Sequence, residues 1–210
     1  MVDTSDTTTR GDTDQRRHDV LRAASDLLRE RSGDGFSMRE VAERAGVSAG
    51  AVYQWFSGKA EILSVLHTEQ FERVIARMEG LPIDLGFEAT VGEVVREMAV
   101  IWQETGHHRT TIINAHNGSD HDTFLDGITV TFLTLSEVIE RRLREAAARE
   151  GHTLRPQAEM MPWLWAVCMG AGTQLIDVRF IGPGGAESYL SVLTAPTAAG
   201  LVAGDASDAS

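Results

Sequence analysis

Cysteine is almost missing from this chain of 210 residues: Cys168 stands alone. One thiol closes no intrachain disulfide, which excludes the stapled scaffolds of small secreted domains. It sits in the apolar run WLWAVCMGAG, where a buried, inert thiol is expected. Strand signatures, alternating apolar residues bounded by turn dipeptides, are almost absent. The first fourteen residues, MVDTSDTTTRGDTD, hold no apolar stretch, so no secretory leader is expected and a cytoplasmic protein follows. The uncharged run Met160–Ile176 is 17 residues long and contains Pro162, Gln174 and two glycines. A membrane span needs about 20 residues, so a helix buried between protein surfaces is expected instead. Lysine is as scarce as cysteine: Lys59 is the one lysine among nineteen basic residues.

Basic charge is also in short supply, with 19 Lys and Arg against 31 Asp and Glu and a net charge of −12. That balance argues against a nucleic-acid partner until the chain is divided. Residues 1–14 carry −3, residues 15–67 carry +1 and residues 68–210 carry −10. A partner of the middle segment meets a nearly neutral surface with local basic points, which permits DNA binding.

Helical periodicity runs throughout. Val20, Leu21, Ala24, Leu27 and Leu28 share one face of a helix expected from about Asp14 to Ser32-Gly33. Ser37 and Glu40 form a capping box for a helix over 37–45, and Gly46 is a natural stop. Ser48 is the N-cap of a helix through Tyr53 that ends near Phe56. A long helix is expected over 59–78. After the break LPIDLG at 81–86, helices are expected at 87–104, 107–117, 122–149, 156–181 and 186–202. Phe124, Ile128, Phe132, Leu135, Ile139 and Leu143 make a stripe that Leu125, Leu133 and Val138 widen, so that helix is expected to be covered on more than one side. Pro162 is expected to kink its helix or shift its start. The fold class is all-α, with tails at 1–14 and 204–210 expected to be disordered.

Residues 46–50 read GVSAG, a match to the G-x-S-x-G elbow of serine hydrolases. An elbow needs a strand before the serine, whereas SMREVAERA is helical by capping and by periodicity. Ser48 is therefore read as a helix cap and no enzyme is expected. The alternative is a helix-turn-helix: Gly46 makes the turn, Val47 plugs it, and the small Ala49, Gly50 and Ala51 let the second helix lie deep in a major groove.

The whole stretch FSMREVAERAGVSAGAVYQWFSGKAEIL, Phe36 to Leu63, closely resembles the DNA-binding segment of the tetracycline-repressor (TetR-like) family. The matching positions are Phe36, Val41-Ala42, Ala45-Gly46-Val47-Ser48, Gly50, Val52-Tyr53, Phe56, Lys59 and Ile62-Leu63. Ala51 departs from the threonine frequent there, and Trp55 stands where histidine or tyrosine is frequent. The resemblance implies a three-helix DNA-binding domain at 15–67 and a helical ligand-binding and dimerisation domain at 68–203. It implies a ligand-responsive homodimer that reads a palindromic duplex, most simply a repressor released by a mainly apolar small molecule, with no cofactor and no membrane partner.

Under that resemblance, Tyr53, Trp55, Lys59 and the backbone near Ser48 contact phosphates, with Ser37 and Arg39 at the start of the first helix of the pair. Gln54, Ala49 and Ala51 are the base readers, since an amide pairs with adenine and methyl groups pack on thymine. Arg16 and Arg17 stand as candidates for the flanking minor groove. Phe71, Met98, Trp102, Asn114, Phe132, Trp165 and Met169 are candidates to line an effector cavity, although each also reads as plain core. Gly170, Ala171, Gly172, Leu175, Ile176 and Leu190 are expected at the dimer interface. His107, His108, His116 and His121, near Asp120 and Asp122, leave a metal-sensing variant open. They lack an i, i+4 pair, so no metal is expected.

Overall fold

A computed structural model describes residues 5–30, 35–106, 120–176 and 185–203. Among these the chain forms eight helices: α1 Ser5–Glu30, α2 Met38–Ala45, α3 Ala49–Trp55, α4 Lys59–Glu79, α5 Phe87–Gly106, α6 Asp120–Arg149, α7 Gln157–Ile176 and α8 Gly185–Leu201. The described residues include one isolated β-bridge, Leu154 with Val202, and no named strand. None of their helices is long and apolar enough to cross a membrane.

Contacts divide the chain into two units, with the divisions falling inside α4 and α6. Residues 1–69 and 107–129 form the first unit, and 70–106 with 130–210 form the second. The opening of α6 therefore counts with the N-terminal helices. Leu125 and Ile128 pack on their core, and the Thr68 hydroxyl donates to the Gly127 carbonyl at 3.3 Å.

In the first unit, Val20, Leu21, Ala24 and Leu27 of α1 meet Phe36, Val41, Val52, Phe56, Ile62 and Leu63, all buried. This is the stripe that the periodicity picked out. α1 begins at Ser5, nine residues before Asp14, so the expected tail is shorter. The polar run carries no proline, and lengthening a helix already nucleated costs little per residue.

The second unit buries Val91, Val94, Val95 and Met98 of α5, Leu135, Ile139 and Leu143 of α6, and Met160, Leu164 and Cys168 of α7. The loop after α4 is held from below: buried Arg142 donates to the Leu81 carbonyl at 2.8 Å and to the Pro82 carbonyl at 3.3 Å. The Glu150 carboxylate accepts the Phe87 N–H at 2.8 Å and so caps α5 from a distant position.

Some expectations change. α6 is covered along 135–139–143, while Val130 and Leu133 face outward, 72% and 55% exposed. Pro162 lies five residues inside α7, so it does not set the start of that helix. The helix expected at 107–117, the end of the one expected to reach 181, and the tail at 204–210 lie outside the described residues.

Candidate nucleic-acid interface

The geometry at 37–56 follows from three caps. The Ser37 hydroxyl accepts the Glu40 N–H at 3.2 Å, and the Glu40 carboxylate accepts the Ser37 N–H at 2.8 Å. Gly46 closes α2 at φ 69°, a left-handed value that a residue with a Cβ adopts reluctantly. Val47 then donates its N–H to the Ala42 carbonyl at 3.0 Å. Ser48 opens α3 by accepting the Ala51 N–H on its hydroxyl at 3.1 Å. Its oxygen is an N-cap acceptor following a helix and a turn. The strand that a nucleophile elbow needs is absent here.

α3 turns one side inward. Val52 is fully buried and Phe56, which follows the helix, is 1% exposed. Trp55 is half-buried and packs against the same core, which leaves its ring as a structural contact first. On the opposite side Ser48, Ala49, Gly50, Tyr53 and Gln54 are exposed, Tyr53 by 56%, and Ala51 is half-exposed between the two. Arg39 stands exposed near the start of α2. The Lys59 ammonium opens α4 at 5.1 Å from the Phe36 ring centroid. Burial lowers its pKa, and the negative charge of Glu40 opposes that shift. The start of α4 is braced by Glu61, whose carboxylate accepts both the N–H and the hydroxyl of Ser57, at 2.7 and 2.8 Å.

One contact escaped the sequence reading. Arg17, expected to reach outward, holds its guanidinium carbon 4.8 Å from the Phe56 ring centroid. The signal was available, because Arg17 lies three and four residues before Val20 and Leu21, on the buried side of α1.

In the second unit, Phe71 and Phe132 meet with ring centroids 5.9 Å apart, and Phe132 meets Trp165 at 5.0 Å. Met98 is fully buried on α5. The indole N–H of Trp102 is buried with no hydrogen-bond acceptor among the described residues. Met169 departs from the expected cavity lining: it is 48% exposed on α7. Asn114 lies outside the described residues, as do His107, His108 and His116 and the side chains of His121, Asp120 and Asp122.

The residues expected at a dimer interface also separate. Gly170 is on the outer face of α7, and a Cβ there would meet nothing within 4 Å among the described residues. Ala171, Gly172, Leu175 and Leu190 are buried within their own chain. A Cβ on Gly172 would stand 2.6 Å from the Ala99 carbonyl oxygen of α5, so this glycine serves intrachain packing. The exposed faces instead carry Trp163, Ala166, Met169, Gly170 and Thr173 on α7 and Val192, Ala195 and Ala199 on α8. The side chain of Ile176 is outside the described set.

Comparison with known proteins bears on the same segment. Residues 20–66 match the family described as "Bacterial regulatory proteins, tetR family". The HTH-type transcriptional regulator PksA of Bacillus subtilis is 27% identical over 146 residues, covering 62% of this chain and 69% of that protein. The nucleoid occlusion factor SlmA of Alteromonas mediterranea is 26% identical over 140 residues, 66% of this chain and 72% of that protein. Among solved structures, a TetR transcription regulator from Haloarcula marismortui aligns at TM-score 0.65 with 15% identity, covering 90% of this chain and all of that one. A TetR-family regulator from Streptomyces coelicolor aligns at TM-score 0.59 with 18% identity, covering 89% of this chain and 80% of that one. At such identities the structural likeness concerns the fold.

Proposed function

Through its N-terminal domain the chain belongs to the tetR family of bacterial transcriptional regulators, and we propose that it acts as a homodimeric repressor, released from a palindromic DNA site by a mainly apolar small molecule. One observation carries the DNA reading. α3 buries Val52 and exposes Ala49, Gly50, Tyr53 and Gln54, presenting an amide and small side chains for which the fold has no internal use. Gln54 reads adenine, the small residues admit base edges and thymine methyls, and Tyr53, Arg39 and Lys59 fix the register on phosphates. Ser37 and Ser48 support this by holding the two helix starts with their hydroxyls rather than by donating them to phosphates.

A single reading head makes few phosphate contacts, so two heads on two half-sites are expected. The outer faces of α7 and α8 pair with a second copy. In the second unit, the Phe71–Phe132–Trp165 contacts and the Trp102 donor, which meets no acceptor among the described residues, support an uncharged effector with an aromatic or aliphatic body and one acceptor atom. Release requires that effector to prefer the state that does not fit DNA. A hundredfold preference corresponds to about 2.7 kcal/mol. A DNA partner supports a cytoplasmic location.

Selection of bound duplexes from a random pool tests the reading, followed by a screen for compounds that release the selected site. A two-fold symmetric site is expected. Gln54→Ala should change which bases are preferred, and Lys59→Ala should weaken all sites alike. A wild-type protein that enriches no duplex at low salt refutes the proposal.

A further inference from the structure

We propose that Arg17 is a phosphate contact of each reading head, alongside Arg39 and Lys59; the assignment rests on the DNA-binding reading above. The first unit holds cations in two different conditions. Arg22 and Arg44 are engaged with carboxylates, Asp19 and Glu30, each at 2.6 Å, and Arg29 is engaged likewise with Asp26. These lie along α1 and the C-terminal part of α2, where Asp19, Arg22, Asp26 and Arg44 line one shallow groove. Arg17, Arg39 and Lys59 form no ion pair among the described residues, although Glu40 attracts Lys59 from a distance. This second set is gathered about the helix-turn-helix: Arg39 at the start of α2, Lys59 at the start of α4, and Arg17 on the residue that ends α3.

The difference matters for binding a polyanion. An arginine already paired must release its carboxylate to take a phosphate, and the released carboxylate then repels the duplex. An unpaired one gives up only water while the DNA gives up a counterion. Arg17 is also held in place. Phe56, its platform, is 1% exposed and donates its N–H to the Val52 carbonyl at 2.9 Å, which ties the ring to the last turn of α3. A guanidinium lying over a ring keeps its N–H edge available in the plane of the fork, the geometry that bidentate phosphate binding uses. The position of this cation is therefore fixed relative to the recognition helix before DNA arrives. Such a contact sets register and affinity without reading bases.

The test is a salt titration of DNA binding with a duplex selected from random sequence. Arg17→Met keeps an apolar stem over Phe56 and removes the charge. A dimer loses two phosphate contacts, so the slope of log affinity against log salt should fall in magnitude by about 1.8. Between about 50 and 200 mM salt the variant should lose roughly twelvefold less affinity than the wild type. Arg17→Lys should keep most of the slope, and Arg22→Met, which removes a paired charge, should leave it near the wild-type value. Melting curves establish that each variant is folded, and Arg17→Gln replaces Arg17→Met if the latter is not. An unchanged slope in the folded, uncharged variant overturns the assignment and leaves Arg17 as a packing residue. An equal drop in Arg22→Met also overturns it, since diffuse charge then suffices. A wild-type protein that binds no duplex overturns the DNA-binding reading as well, so the two failures are distinguishable.

Discussion

Gly172→Ala is the sharpest test of how the second unit is put together. A methyl group at this point of α7 would stand 2.6 Å from the Ala99 carbonyl oxygen and 3.0 Å from the Gln103 nitrogen, and would also strike the Trp102 Cβ. Ordinary contact begins near 3.4 Å. Two of these obstacles are backbone atoms of α5, which cannot rotate away, so the helices must part by several tenths of an ångström. Overpacking of this kind costs about 1–3 kcal/mol. Parting also thins the contacts of buried Cys168 and Leu175 on the same helix, where a gap of 0.5–1 Å forfeits about a quarter to a half of each dispersion well. Alanine returns about 1 kcal/mol of helix propensity. The net expectation is a loss of about 2 kcal/mol, or roughly 1 M in urea midpoint for a slope near 2 kcal/mol/M. Urea unfolding followed by far-ultraviolet circular dichroism reads it, with an unchanged slope showing that only stability moved. If Gly172→Ala matches or exceeds wild-type stability, propensity has won and the close α5–α7 approach described above is wrong.

Ser48→Ala should cost about 1 kcal/mol as a lost N-cap and weaken DNA binding further, since a seven-residue helix cannot persist without support; equal affinity in gel-shift titrations would remove the cap from the argument. Burial raises the Cys168 pKa from 9 to about 12. The folded state thus keeps a proton that the unfolded chain releases above about pH 9, so stability should decline between those values by about 1.4 kcal/mol per unit. Cys168→Ala should lack that part of the decline, and iodoacetamide at pH 8 should leave the folded thiol unmodified. Val192, 69% exposed, and Leu190, 5% exposed, lie two residues apart on α8. Val192→Asp should give a folded monomer by sedimentation, whereas Leu190→Asp should unfold, and a dimer surviving the first change moves the interface elsewhere. Trp102→Phe removes a buried donor that has no acceptor among the described residues, so the ligand-free protein should be no less stable, and a melting temperature lowered by several degrees would mean the N–H has a partner.

The helix-turn-helix was legible because its instructions are local. Ser37 with Glu40, the left-handed Gly46 and the Ser48 hydroxyl act within four residues of themselves, and each appears in the structure with the bond expected of it. Side-chain facing in α7 was not legible. From Met160 to Ile176 that helix carries apolar or small residues on nearly every side, so period gave no direction. Small size at Gly172 announced a close neighbour, and α5 of the same chain stands there. Met169 and Trp165 lie one turn apart, yet Met169 is exposed and Trp165 joins Phe132. On α6 the stripe holds, with Leu135, Val138, Ile139 and Leu143 buried, and only Leu133, which fitted a widened face, points to solvent. Arg17 shows the opposite error, in which charge outweighed position: a basic residue in register with a buried stripe still has an aromatic ring to cover.

Glycines inside helices separate what the fold requires from what it does not. Each costs up to about 1 kcal/mol relative to alanine, so each calls for a cause. At Gly92 the cause is Thr194, whose Cγ2 would lie 3.1 Å from a methyl group; at Gly127 it is Ser64, at Gly172 the backbone of α5, and at Gly200 the ring of Trp163. Among the described residues a Cβ on Gly170 would have nothing within 4 Å, and one on Gly50 would meet only the Ser48 hydroxyl at 3.9 Å. An alanine at either place fits this chain and strengthens its helix. The described residues of the chain supply no contact that requires a bare Cα at either place. These two glycines lie on the exposed side of α3 and on the outer face of α7, the surfaces assigned above to DNA and to a second copy. The same physical question, asked of six residues, thus finds no close neighbour among the described residues for the two that lie on the faces proposed to meet DNA and a second copy.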